Sequence, residues 1–288
     1  YKDTTVTILK EWVRYRSQIQ DVVAKLDYDW YISNNNKLNF GLSAMYNIYN
    51  PGNFTSKLYK ENTDTILGEK NESVMKPFNF DFYIEDMQKI GKISIYAGLR
   101  ANLYLLSGKT WHNFQPRARI FYEPSKNTMI NFSYDRTYQN LHILTISNSI
   151  VPADVWVPAT EIAPPESSHH FSLGLSQTFA NNMFAVYASP FYKILDNLID
   201  FKRYFLVTDT IENPTWEQQI ATNGTGTIYG FEFLLEKTRG KLTSWISYTY
   251  MKNIRQFDDL NEGKPFPSNF DRRHNLQIVL QYHFNKNI

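Results

Sequence analysis

Two-residue alternation sustained over long runs is the feature that most narrows what this chain can fold into. From Ile93 to Leu105, the residues Ile93, Ile95, Ala97, Leu99, Ala101 and Leu103 fall on one side, and Ser94, Tyr96, Gly98, Arg100, Asn102 and Tyr104 on the other. A period of two is that of a strand with one apolar and one polar face. Phe78, Phe80, Phe82 and Ile84 repeat the pattern against Asn79, Asp81, Tyr83 and Glu85; Tyr229, Phe231, Phe233 and Leu235 repeat it against Gly230, Glu232, Leu234 and Glu236. Ile130, Phe132 and Tyr134 alternate with Asn131, Ser133 and Asp135, and Phe171, Leu173 and Leu175 with Ser172, Gly174 and Ser176. In all, about twelve segments read as strands, and none of useful length reads as a helix.

The connections between them are of two kinds. Tight turns are predicted at Asn34–Lys37, Lys89–Lys92, Pro124–Asn127, Ala180–Asn182 and Arg239–Lys241, where Asn, Gly and Pro supply turn conformations. Long connections are predicted at Asn50–Met75, Leu141–Ser167, Asp196–Asn223 and Asn253–Arg272, with a shorter one at Leu106–Asn113 and a first break at Arg16–Ile19. Pro190 is expected to mark a bulge or kink in its strand. Short turns at one end and long loops at the other suit an up-and-down antiparallel sheet. Mid-strand Asp, Glu, Arg and Asn would be costly in a dry core, and a water-filled lumen removes that difficulty. The expected fold is all-β: a transmembrane antiparallel up-and-down β-barrel segment, with short periplasmic turns and long extracellular loops, occupying residues 1–288 as one unit.

Composition agrees. The net charge of +2 implies no nucleic-acid partner. Aromatics make up 16 %, which suits interfacial girdles. Mean hydropathy is −0.45, and no apolar run approaches the roughly 20 residues of a membrane helix. Cysteine is absent, so no disulfide framework is available. The chain starts at Tyr1 and is expected to be an internal piece of a longer protein.

The run Tyr134-Asp135-Arg136-Thr137-Tyr138-Gln139-Asn140-Leu141-His142, with Ser147-Asn148-Ser149 and Pro152-Ala153-Asp154-Val155-Trp156-Val157-Pro158, resembles the barrel of TonB-dependent outer-membrane receptors. So do Tyr192-Lys193 with Leu195-Asp196-Asn197-Leu198-Ile199, Ile228-Tyr229-Gly230-Phe231-Glu232 and Asn269-Phe270-Asp271-Arg272-Arg273-His274. The resemblance covers most of the chain from about Ile93 onward. It implies a roughly 22-stranded barrel plugged by an N-terminal domain, of which about twelve strands are here. It also implies a Gram-negative outer-membrane location, active import of a scarce nutrient bound at the extracellular loops, and energy delivered by TonB and its inner-membrane complex. Outer-membrane lipid, and a surface lipoprotein in some arrangements, would be the other partners. A passive channel or porin, and a soluble or surface glycan-binding β-protein, are the alternatives. The sequence does not name the imported ligand.

No enzyme motif is present: there is no Gly-rich phosphate loop, zinc helix or nucleophile elbow, and no cofactor motif. His169 and His170 are adjacent on a strand and point to opposite faces, so they cannot chelate one ion together. Glu232 and Glu236 lie roughly 13 Å apart by strand rise, too far for a retaining glycosidase pair. Asp258, Asp259 and Glu262 lack the spacing of a calcium loop. The ligand-binding candidates are Tyr138, His142 and Trp156 at the long-loop end, since recognition sites favour loop aromatics; Trp156 could instead pin its loop to the wall. The lumen charge candidates are Arg100, Arg117, Arg119 and Glu232, with the arginines either engaged in internal salt bridges or meeting plug carboxylates or an anionic ligand.

Overall fold

The computed structural model describes residues 10–60, 63–146, 153–202 and 215–284. Their architecture is a 13-stranded antiparallel sheet, plus a separate two-stranded one. The strands are β1 (Lys10–Ser33), β2 (Asn36–Lys60), β3 (Thr63–Asn71), β4 (Phe78–Ile90), β5 (Ile93–Leu106), β6 (Lys109–Ser125), β7 (Thr128–Gln139), β8 (Leu141–Ile146) and β9 (Ala153–Pro158). They continue as β10 (Glu166–Phe179), β11 (Phe184–Phe201), β12 (Ile220–Lys237), β13 (Leu242–Gln256), β14 (Phe266–Pro267) and β15 (His274–Tyr282). The large sheet runs β1-β2-β4-β5-β6-β7-β10-β11-β12-β13, with β3 added to β2 and both β14 and β15 added to β13. Among the described residues β1 pairs only with β2 and β15 only with β13, so the sheet is part of a barrel wall.

Register carries each strand's alternation across the whole wall. Phe132 lies opposite Leu173 and Ile120, and Phe231 opposite Pro190 and Tyr250. One face therefore displays exposed apolar side chains, among them Phe80, Phe82, Leu99, Phe132, Leu173, Phe231, Leu276 and Ile278. Exposed apolar side chains over an entire face have no place in a water-soluble sheet, whereas a lipid-facing wall requires them. The five predicted tight turns lie at one rim, and the β5–β6 turn adds one at the other. Gly91, in the β4–β5 turn, takes φ +59°, a conformation that costs a glycine nothing.

The strands run further than their apolar patterns. β1 is one strand of 24 residues, where a break at Arg16–Ile19 was expected; the ladder to β2 only shifts register between Arg16 and Gln18. The start of the first expected strand, residues 4–9, lies outside the described residues. The expected Asn50–Met75 loop is mostly strand, with β2 reaching Lys60 and β3 folding back on it. The Leu106–Asn113 connection contracts to Ser107-Gly108, both at positive φ, the geometry that a two-residue hairpin needs. Part of Asp196–Asn223 belongs to β11, which runs to Phe201, and to β12, which starts at Ile220; residues 203–214 lie outside the description. β13 takes the start of the expected Asn253–Arg272 loop. Pro190 makes no bulge: its ladder to β12 is unbroken, and the pairing to β10 lapses opposite Leu173 and Gly174 without a shift, so its missing N–H is not needed. The irregularity falls instead between Leu195 and Asp200.

Candidate functional site

The face opposite the apolar one is polar, and its geometry follows from the same registers. Asp27, Gly41, Tyr83, Arg100 and Gln115 form one row across β1, β2, β4, β5 and β6. Arg117, Asp135, His170 and Lys193 form another across β6, β7, β10 and β11. Small residues make room for long neighbours: a Cβ on Gly98 would stand 2.8 Å from Glu85 Cγ and 3.2 Å from Arg117 Cγ. Each of the three arginine candidates has a carboxylate partner. Arg100 Nη2 lies 3.0 Å from Asp81 Oδ2, Arg117 Nη1 2.9 Å from Glu85 Oε1, and Arg119 Nη2 3.6 Å from Asp135 Oδ1. Glu232 sits on the same face between Ser189 and Thr249, exposed and with no ion pair among the described residues.

Toward the long-loop rim the polar face closes into a side-chain network that the sequence reading missed. Asn79 Nδ2 donates to Asn47 Oδ1 (2.8 Å), Asn140 Nδ2 to Asn79 Oδ1 (2.8 Å), Asn102 Nδ2 to Asp81 Oδ1 (2.9 Å) and Asn113 Nδ2 to Asn102 Oδ1 (3.1 Å). Asn47 also donates to Asp21, which extends the ladder to β1. Asn47, Asn79, Asn102 and Asn113 are buried, and an amide can donate and accept at once, so a run of them satisfies itself from β1 across to the end of β7. The available signal was asparagine recurring on the inward parity near the loop ends.

Above this network the long connections pack together. The segment Leu141–Ser167, predicted as a long connection, contains the paired strands β8 and β9. Its Leu144, Val155 and Val157 form a core with Ala163, Ile199, Trp216 and Ile220, and Met75 and Phe201 pack against it. Tyr104 Oη, on the inward face of β5, donates to Ala159 O at 2.9 Å and is fully buried. The connection is thereby folded inward over the wall. Burial pushes the nearby Tyr49 phenol up to about 12, with the Asp21 charge adding to the effect. Asp200 at the end of β11 is raised above the ordinary carboxylate range by burial, against the lowering effects of the Phe201 N–H and of Arg255. On the outside of the cap, Lys109 holds the Glu161 carboxyl below its ordinary value.

The three ligand candidates do not come together. His142 is fully buried in the cap, with Nδ1 2.9 Å from Glu166 Oε1 and Nε2 3.2 Å from Ala163 O; both ring nitrogens are occupied by protein. Tyr138 shares the outward face with Tyr134 and Arg136, and the Arg136 guanidinium lies 5.0 Å from its ring centroid. Trp156, opposite Ile143 in the hairpin, keeps 37 % of its surface exposed. It alone of the three offers an open aromatic face on the cap. Residues 147–152, part of the resemblance, lie outside the described residues.

An apolar outer face, a charged inner face whose three arginine candidates are paired, and long connections packed over one rim define a membrane β-barrel of the receptor type. The family of TonB-dependent receptor-like β-barrels matches residues 3–287, and the chain belongs to it. Among solved structures it is similar to the FrpB iron transporter of Neisseria meningitidis (F3-3 variant), with 14 % identity, TM-score 0.65, and 94 % of this chain against 41 % of that one. It is also similar to the ferripyoverdine receptor of the outer membrane of Pseudomonas aeruginosa (14 %, TM-score 0.58, 97 % and 37 %). The alcaligin outer-membrane receptor FauA of Bordetella pertussis is a third (14 %, TM-score 0.56, 96 % and 45 %). The chain thus spans about two fifths of the length of the structures it matches. No curated protein matches it.

Proposed function

We propose that this chain is the later part of the barrel of a TonB-dependent receptor that lies in a Gram-negative outer membrane, binds a scarce nutrient at its extracellular loops and imports it into the periplasm. TonB, energised from the inner membrane, would act on a plug contributed by the rest of the protein. The observation that carries this reading is the separation of faces: Phe231 and Ile278 outward, Arg117 and Asp135 inward, and the longer connections gathered at one rim. Ligand contact is assigned to the exposed side of the cap around Trp156, and His142 holds the cap from within. The internal pairing of Arg100, Arg117 and Arg119 supports a structural role for them, and leaves Glu232 as a charge free to meet a plug.

The test uses the full-length receptor in a Gram-negative host with and without TonB. Uptake of ferripyoverdine, ferric alcaligin, haem and cobalamin is measured alongside membrane fractionation. Uptake of one of these that needs TonB is the expected result. Equal uptake without TonB would indicate a passive channel, and a soluble receptor fraction would indicate a glycan-binding β-protein.

A further inference from the structure

The hydrogen bonds of His142 do not balance without an extra proton. Its ring is fully buried, with Nδ1 2.9 Å from Glu166 Oε1 and Nε2 3.2 Å from the Ala163 carbonyl oxygen. That carbonyl can only accept, and it already takes the Thr160 N–H at 2.8 Å, so a bond from the ring requires a proton on Nε2. An ionised carboxylate can also only accept. Satisfying both ring nitrogens therefore takes one proton more than a neutral imidazole and a carboxylate hold between them. It lies between Nδ1 and Oε1, whichever atom carries it. Without it, lone pairs face each other either across Nδ1 and Oε1 or across Nε2 and the Ala163 oxygen, at a ring that water does not reach.

The ring stands at the joint of the cap. It ties β8 to the 160–163 turn and to Glu166, the first residue of β10. The other ties on residues 159–165 are of different kinds: Tyr104 donates to Ala159 O, Asn197 Nδ2 to Pro165 O at 3.1 Å, and Lys109 meets Glu161 on the exposed outside. Glu166 is the titratable group in contact with the ring. The remaining titratable groups on the elements packed around the cap core are Asp154 on β9, Glu161 in the turn, Asp196 and Asp200 on β11, Glu217 before Ile220, Tyr49 and Tyr104 on β2 and β5, and Glu72 and Lys76 beside Met75. Asp154 alternates with the buried Val155 and Val157 side of β9 and so lies on the opposite face of the pair from His142. Asp200 sits on the far flank, next to Ile199, and its raised carboxyl likewise favours a protonated form in the folded cap.

We infer that His142 and Glu166 form a pH-sensitive catch: while they share one proton they hold the 159–165 turn closed on the β8–β9 pair, and when that proton leaves to water the turn is released. In an opened cap a histidine gives its proton up near the ordinary value of about 6.5. The closed cap, which keeps it, is therefore favoured below that value and loses ground as pH rises above it. The assignment rests on the geometry of the cap and not on what the receptor imports.

The experiment is hydrogen exchange on the full-length receptor in detergent, from about pH 5.5 to about pH 8.5, with rates corrected for the intrinsic effect of pH. Protection of the β8 and β9 amides is expected to fall about tenfold over that range while β12 and β13 keep theirs, a factor of ten being what a proton retained through one pH unit is worth. Glu166→Gln should keep the low-pH protection and abolish the fall, because an amide can donate to a bare Nδ1 or accept from a protonated one. Asp200→Asn, on the far flank, should leave the fall in β8 and β9 in place. In the unmodified receptor, NMR of isotope-labelled histidine should show His142 Nδ1 titrating together with the loss of protection. Protection that stays flat with pH, a fall that survives in Glu166→Gln, or a fall during which the His142 resonance does not move would each overturn the assignment. Neither ligand nor TonB enters the assay, so its failure and failure of the import reading are separate outcomes.

Discussion

Arginine placed on the two faces of β12 should have unequal effects. Phe233 points outward, between Ala188 and Tyr248 on the neighbouring strands, and neither offers a carboxylate. It lies four residues from Lys237, the turn-side end of β12, which puts it about 10 Å up the barrel axis, near the middle of an apolar band about 25 Å tall. Phe233→Arg at that depth is expected to destabilise the barrel by about 2–4 kcal/mol. Glu232, one residue away, faces inward, exposed and without an ion pair among the described residues, so Glu232→Gln should stay within about 0.5 kcal/mol. The assay is equilibrium unfolding of the full-length receptor from phospholipid vesicles in guanidinium, followed by tryptophan fluorescence. Comparable losses from the two substitutions, or a larger loss from Glu232→Gln, would refute the assignment of faces.

Gly230→Ala would set a Cβ 2.2 Å from Tyr250 O and 2.7 Å from Phe191 Cζ, and because the first is backbone the expected cost is about 1–3 kcal/mol in the same assay. Asp81→Ala removes the acceptor shared by Arg100, Asn102 and Ser43 and should cost about 2 kcal/mol, with Asp81→Asn less harmful. His142→Ala leaves the Glu166 carboxylate and Ala163 carbonyl without their ring partner; hydrogen exchange should accelerate in β8 and β9 while β12 and β13 stay protected. The raised Asp200 carboxyl favours the protonated form in the folded cap, which gives a stability increment present below the ordinary carboxylate value and lost as pH rises through the raised one. Exchange protection around Ile199 and Ile220 should therefore fall as pH rises from about 4, and Asp200→Asn should flatten that dependence.

What the sequence made legible was the wall, because the wall obeys one local rule. Lipid on one side and water on the other force every second residue to match its solvent, so Ile93–Leu105 could be read without knowing its neighbours. The rule ends where the lipid ends. Above the band, β2 and β13 continue as strands without an apolar face to mark them, and a reading by alternation stops early at Tyr49 and Tyr250. The hairpin β8–β9 failed for a related reason: its buried residues are matched to Ile199, Trp216 and Ile220, far along the chain, and not to a medium of uniform polarity.

The candidate site shows the same division from the other direction. Arg100, Arg117 and Arg119 were identifiable as inward charges by parity alone, but their partners Asp81, Glu85 and Asp135 depend on register between strands. Tyr138 and His142 were grouped as aromatics at the long-loop end; the structure sends one to the outward face and the other into the cap core. Strand parity already placed Tyr138 with Tyr134 and Arg136, so its outward position follows from the rule that located the wall. His142 lies past the end of β7, where parity no longer applies and only the contacts of the folded hairpin decide which way a ring points. On the proposed reading, recognition falls to the part of the chain whose conformation is set by packing among loops, and that is the part that strand parity does not reach.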